Sequence, residues 1–214
     1  MHDLLEMMKN SIDFLFIQEN PVNFVQKIPS TTSETGDDLI SLVIHRTWQC
    51  VNKHSSHPDS QVTIYVNKRF TSSYQLFPLI NPFIDSNVLV LCAHHNTMHS
   101  EFFHMIDIYN RPGSCHSAIE SLLRIAPTLP NLAIVQGYFN LHSPLWDPSL
   151  SHASSLGECL FYELSDIELN LANDEGDFTW TNRHGSSSVI DLLFYNDLLA
   201  RISPQVIIDL DSRG

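Results

Sequence analysis

The stretch Leu132-Ala-Ile-Val-Gln-Gly-Tyr-Phe-Asn-Leu-His-Ser-Pro-Leu-Trp-Asp147 decides how the rest of the chain is read. Its first five residues form a short apolar run, the pattern of a buried strand. Gly137-Tyr-Phe-Asn-Leu-His142 follows at once. Ligands of sheets flanked by helices gather outside strand ends, so Asn140 stands where such a protein does its chemistry. Three further places repeat the pattern. Gln18-Glu19 follows Phe14-Leu-Phe-Ile17, and Tyr109-Asn110 follows Met105-Ile-Asp-Ile108. Asp191 lies inside Ser186-Ser-Ser-Val-Ile-Asp-Leu-Leu-Phe194. A carboxylate in the middle of an apolar strand is the most informative of these, because burying it is costly unless it is paired, hydrogen-bonded or on a metal. Taken singly, each residue has an ordinary structural reading: Glu19 a loop acid, Asn140 a turn former, Asp191 a strand-end hydrogen bonder. Taken together they point to one site.

Outward from these places, apolar runs predict strands over 13–18, 39–45, 62–67, 74–80, 88–93, 103–109, 132–136, 178–181, 189–195 and 206–210. A weak helical pattern covers 2–10. Ser114 reads as the N-cap of a helix with Ile119, Leu122, Leu123 and Ile125 on one face, stopped by Pro127. Leu156, Leu160, Leu164 and Ile167 predict a second crossover helix over 154–169. Residues 29–38 and 53–60 are turn-rich. Many strands joined by loops, with two or three crossover helices, imply an α/β layered sandwich: two packed sheets with helices outside, in one domain over 1–214.

Composition sets the limits. Of the 214 residues 43% are hydrophobic, enough for a sizeable core, and only 16% are charged. There are 24 acids against 11 bases, a net charge of −13. Such a surface repels phosphate backbones, so composition alone argues against a generic nucleic-acid binder. Cys50, Cys92, Cys115 and Cys159 lie far apart with no Cys-x-x-Cys pair, as expected of reduced thiols. The acidic start Met-His-Asp-Leu-Leu-Glu is unlike a secretory signal, and no apolar run approaches a membrane span. The expected location is intracellular, in nucleus or cytoplasm.

The ordered set Phe16-Ile-Gln-Glu19, Ile64-Tyr-Val-Asn67, Ile106-Asp-Ile-Tyr-Asn-Arg-Pro112, Gly137-Tyr-Phe-Asn-Leu-His-Ser-Pro-Leu-Trp-Asp147, Phe178-Thr-Trp-Thr181 and Ser187-Ser-Val-Ile-Asp-Leu192 resembles the endonuclease/exonuclease/phosphatase superfamily, with its DNase I-like fold. Within it the chain is most similar to the endonuclease domain of non-LTR (LINE-type) retrotransposons, of the kind found in fungi. The resemblance runs from about residue 10 to 210. It implies a four-layer α/β sandwich and a magnesium-dependent phosphodiester hydrolase that nicks DNA. Glu19 then matches the metal-binding glutamate. Tyr109 and Asn110 match the pair that contacts the phosphate, Asn140 the residue that places the attacking water, and Asp191 the orienter of the catalytic histidine. His142, Trp146 and Asp147 match the supporting segment.

Three departures qualify what the resemblance implies. The family motif reads Gly-Asp-Phe-Asn, and position 138 here is Tyr. A phenol of pKa ~10 cannot replace a carboxylate at neutral pH, and losing such a group typically costs ~10²–10⁴ in rate. The family's Ser-Asp-His triplet should begin about where this chain has Asp209-Leu-Asp-Ser-Arg-Gly214, and an opening strand should precede residue 1. The expectation is a domain lacking the first and last core strands, with impaired catalysis. The alternative is a non-catalytic remnant or binding module of the same fold. Rival chemistries find less support. His95-Asn-Thr-Met-His99 has the spacing of a zinc helix but Asn where a metalloprotease needs Glu, and there is neither a Gly-x-Ser-x-Gly elbow nor a Gly-rich phosphate loop.

Overall fold

In the computed structural model, residues 1–19, 25–29, 37–41, 45–52, 60–81, 83–98 and 100–198 are described. The larger sheet is built around the stretch that opened the sequence. Strand β8 (Phe102–Tyr109) runs parallel to β9 (Leu132–Tyr138), and helix α3 (Ser117–Ile125) makes the crossover between them. On the far side of β8 lie β7 (Val88–His95) and the edge strand β6 (Tyr74–Pro78), both added antiparallel. On the far side of β9 lie β13 (Asp191–Tyr195) and the short β10 (Asn170–Leu171), giving the order β10-β13-β9-β8-β7-β6.

A second, antiparallel sheet has β5 (Val62–Asn67) between β1 (Phe14–Gln18) and β4 (Trp48–Asn52). Phe14, Val62, Ile64 and Val66 of this sheet pack against Leu89, Leu91, Met105, Ile134 and Leu193 of the larger one. That continuous apolar layer buries one face of β5, while Tyr65 on the other face is buried with Leu5, Ile12 and Trp48. Helices close the outer faces. Ile119 and Leu122 of α3 and Leu160 and Leu164 of α4 (Ser155–Asp166) cover the larger sheet. Helix α1 (His2–Met8) covers the smaller one through Leu5, Trp48 and Tyr65. The result is the four-layer α/β sandwich read from the sequence. Two hairpins stand apart, β2 (Val25–Pro29) with β3 (Asp37–Ser41), and β11 (Trp180–Thr181) with β12 (Ser187–Ser188). A short helix α2 (Lys68–Thr71) follows β5.

Several boundaries differ from the sequence reading. Helix α3 starts at Ser117, because His116 holds the cap position with φ 58. Ser114, expected to cap it, instead donates its hydroxyl to Asn110 Oδ1 at 3.4 Å. The strand expected over 189–195 begins at Asp191, since the N–H groups of Ile190 and Asp191 both turn to Thr179 Oγ1 at 3.0 Å. The strand expected over 39–45 is Asp37–Ser41 where it is described. Strands β2 and β4 went unread; they are short and carry no sustained alternation. The strand expected over 206–210, the loop over 53–59 and His99 lie outside the described residues.

Gly137 is the tightest point of the fold. Its φ is 142, and a Cβ there would sit 2.0 Å from the carbonyl oxygen of Ile108 on the neighbouring strand. The clash is with backbone and has no cheap relief. Gly137→Ala is expected to cost at least about 2 kcal/mol of stability. Urea unfolding measures it; a variant within about 0.5 kcal/mol of the wild type would contradict the close approach.

Candidate active site at the strand ends

The register of three adjacent strands assembles the site. Tyr109 at the end of β8 lies beside Tyr138 at the end of β9, which lies opposite Asp191 at the start of β13. Strand side chains alternate between faces, and these three share the face that carries Met105, Ile134 and Leu193 toward the smaller sheet. From that sheet β1 brings Glu19, whose Oε1 accepts the Tyr109 hydroxyl at 2.9 Å. The rings of Tyr109 and Tyr138 are 5.4 Å apart. Four residues from four strands thus meet at one edge of the inter-sheet core.

Each is held by polar contacts rather than by packing alone. Glu19 has φ 55, a region uncommon for any residue but glycine. Strain of that kind gathers at functional sites, where the surroundings over-determine the backbone. Asp191 is held through its peptide: its N–H donates to Thr179 Oγ1, and its carbonyl accepts Asn173 Nδ2 at 3.0 Å. Asn173 Oδ1 also accepts the N–H of Leu193 at 2.9 Å. Asn140, with φ 48, makes the turn after β9, where the Phe139 N–H donates to the Ile190 carbonyl at 2.8 Å.

Asn110, expected to contact the phosphate, is fully buried. Its Nδ2 donates to the Phe139 carbonyl at 2.7 Å, and its own N–H donates to the Tyr138 carbonyl at 2.8 Å. In this structure it ties the β8 loop to the β9 turn. Trp146 and Asp147 are buried beneath that turn, with Gly157 against the indole, while His142 is exposed. Sequence reasoning passed over Thr179, Asn173, Gln136 and Asp107. Asp107 carried a readable signal, being a carboxylate inside the apolar run Met105-Ile-Asp-Ile108, the same feature that singled out Asp191.

The site is electrostatically crowded. Burial pushes the Asp191 carboxyl up to about 6; the Thr179 hydroxyl opposes this, and the negative charge of Glu19 adds to it. Burial, the hydrogen bond to Glu19 and the Glu19 charge push the Tyr109 phenol up to about 12. Burial, Glu19 and Asp191 raise Tyr138 as well. Between its ordinary 3.8 and about 6, Asp191 holds a proton in the folded protein that the unfolded chain has released. Stability therefore falls as pH rises through that window. Asp191→Asn is expected to melt above the wild type at pH above 6, with the gap closing below about pH 4. Thermal unfolding across that range measures it, and equal midpoints at pH 7.5 would refute the shift.

The negative charge of Glu19 acting on the Asp191 carboxyl suits a hard cation. Magnesium takes one or two carboxylates, phosphate oxygens and its own waters, and Glu19 and Asp191 could supply the protein's share. Among the described residues no group of three His, Cys, Asp or Glu side chains could hold a metal ion. Tyr138, beside Tyr109 and opposite Asp191, stands where the family motif has a carboxylate. No helix among the described residues is long and apolar enough to cross a membrane.

Comparison with known proteins agrees with the fold. The chain superposes on the endonuclease domain of TRAS1, a telomere-specific non-LTR retrotransposon, with a TM-score of 0.55 and 18% identity, covering 88% of this chain and 74% of that one. The DNase I-like α/β fold is therefore shared. Zebrafish (D. rerio) TDP2, in complex with a single-strand DNA product, matches with a TM-score of 0.49 and 13% identity over 91% of this chain and 74% of that chain. No curated protein matches the sequence. A family model described as endonuclease-reverse transcriptase matches residues 103–212, just over half the chain and including Tyr109, Tyr138, Asn140 and Asp191. The chain belongs to the endonuclease-reverse transcriptase family.

Proposed function

We propose that this chain is a magnesium-dependent phosphodiester hydrolase domain directed at DNA, of the retrotransposon nicking type, with turnover impaired by Tyr138. The observation that carries the reading is the convergence of Glu19, Tyr109 and Asp191 at the ends of three strands from two sheets. When bound, magnesium would neutralise phosphate charge and stabilise the leaving oxygen. Glu19 and Asp191 are the residues that would hold it. The Tyr109 phenol, ionising only near 12, keeps its proton at neutral pH; that proton goes to Glu19 in this structure and could pass to a phosphate oxygen once Glu19 turns to a cation. Asn140, at the turn beyond β9, has an amide suited to orienting a water. Tyr138 stays neutral, so it neither takes a proton from that water nor adds charge toward the cation.

DNA is favoured as substrate by the family and by the TRAS1 likeness; the net charge of −13 works against a tight electrostatic grip on a duplex. Supercoiled plasmid with magnesium is the assay. Slow nicking that Glu19→Gln abolishes is the expected result. Residual nicking equal in both proteins would show a contaminant and sink the reading.

A further inference from the structure

Beneath the row Tyr109, Tyr138 and Asp191 lies a second row in the same register. Asp107 on β8 pairs with Gln136 on β9, which pairs with Leu193 on β13. Gln18, the residue before Glu19, reaches into this row from the smaller sheet. Its Nε2 donates to Asp107 Oδ1 at 2.5 Å, and Gln136 Nε2 donates to the same oxygen at 2.9 Å. Asp107 is completely buried, and its Oδ2 has no hydrogen-bond partner among the described residues. A core between two sheets has no need of a carboxyl there, since an apolar side chain of similar volume would avoid the cost of desolvating it. What Asp107 does hold is the end of β1. Asp107 and Tyr109, two apart on one strand and on one face, grip the consecutive residues Gln18 and Glu19. The second of those is the one with the left-handed φ of 55.

We propose that Asp107 is a positioning residue for Glu19: by anchoring the Gln18 side chain across the sheet interface, it fixes the backbone that turns the Glu19 carboxylate toward Tyr109 and Asp191. Its consequence for cation binding rests on the proposed role of Glu19; its geometric part does not. Burial drives the Asp107 carboxyl toward its neutral form, overriding the amides of Gln18 and Gln136. Asp107→Asn therefore keeps both the charge state and the Oδ1 acceptor, whereas Asp107→Leu keeps the branching at Cγ and removes the acceptor.

The experiment compares backbone NMR at Glu19 with manganese affinity by calorimetry in the wild type, Asp107→Asn and Asp107→Leu. In Asp107→Leu the Cα shift and HN–Hα coupling of Glu19 are expected to lose their left-handed values, and manganese affinity to fall ~10-fold or more, the usual scale for losing a partner that orients a ligand. Asp107→Asn should restore both. Gln18→Leu removes the other end of the same contact and decides the matter if Asp107→Leu does not fold. A folded Leu variant with the Glu19 backbone unmoved overturns the proposal, as does an Asp107→Asn protein as damaged as Asp107→Leu. A wild type without manganese affinity would instead sink the cation-holding role of Glu19, and the NMR comparison would still decide the positioning.

Discussion

Replacing Tyr138 with aspartate is expected to raise divalent-cation affinity and plasmid nicking together, the nicking by ~10²-fold or more. Position 138 lies between Tyr109 and Asp191 across the strand ends, with its ring 5.4 Å from that of Tyr109. Burial and the charges of Glu19 and Asp191 hold the phenol in its neutral form. Under the proposed function it therefore fills the row between Tyr109 and Asp191 without adding charge for a cation. Aspartate at this position would complete a three-carboxylate cluster, which the described residues lack. The gain has a cost that serves as a control. A third negative charge beside Asp191 destabilises the cation-free fold, and the smaller side chain leaves a gap by the Tyr109 ring. The variant should melt below the wild type without a divalent cation and recover when magnesium is added. A folded Tyr138→Asp protein with unchanged cation affinity and no new nicking would refute the nuclease reading of these strand ends.

The parts of this molecule that were legible in the sequence are those that local pattern determines. Strand β5 and the apolar bodies of β7, β8 and β9 announce themselves because both faces are buried, leaving short runs dominated by apolar residues. Helix α4 was legible because Leu156, Leu160, Leu164 and Ile167 keep helical spacing; the structure adds the Ser154 cap, which accepts the Gly157 N–H at 3.0 Å. Glu19, Tyr109 and Asp191 could be singled out because each is a polar group at the end of, or within, an apolar run, although each alone has an ordinary structural reading. What could not be read depends on register. Nothing local says that residue 109 lies beside 138, or that 138 lies opposite 191; both follow from pairing over tens of residues.

The same limit explains Asn110 and Thr179. A strand-end asparagine beside Tyr109 reads as a phosphate contact. It is the fold of the β9 turn against β8 that buries it against the Phe139 carbonyl. Thr179 belongs to a hairpin whose only sequence mark is the run Phe178-Thr-Trp-Thr181. Its hydroxyl oxygen matters because two successive N–H groups, those of Ile190 and Asp191, leave the ladder to meet it. Asp107 is the instructive case, since it shares the signal that identified Asp191, a carboxylate within an apolar strand. The two differ in depth. Asp191 is at the rim and in the field of Glu19, whereas Asp107 is one row down, between two glutamines. Strand pairing, not residue type, separates the carboxylate at the rim from the one buried beneath it.

Glu19→Gln is expected to abolish divalent-cation binding and, made in the Tyr138→Asp protein, to remove the nicking gained there. The loss in affinity should exceed the ~10–100-fold that accompanies removal of a group merely orienting a ligand. Glutamine is close to isosteric, and its Oε1 can still accept the Tyr109 hydroxyl, so the substitution removes charge while leaving the contact in place. That makes a second, cation-independent readout possible. The Glu19 charge is one cause of the raised ionisation of both Asp191 and Tyr109. Without it, the Asp191 carboxyl should titrate below about 6 yet stay above its ordinary 3.8, because burial is the larger cause and is unchanged. The Tyr109 phenol should likewise fall from about 12 without reaching 10.0. Carbon-13 NMR of the Asp191 carboxyl follows the first shift in metal-free buffer. If that midpoint does not move, Glu19 and Asp191 do not lie in one another's field, and two carboxylates that do not feel each other could not share a cation between them.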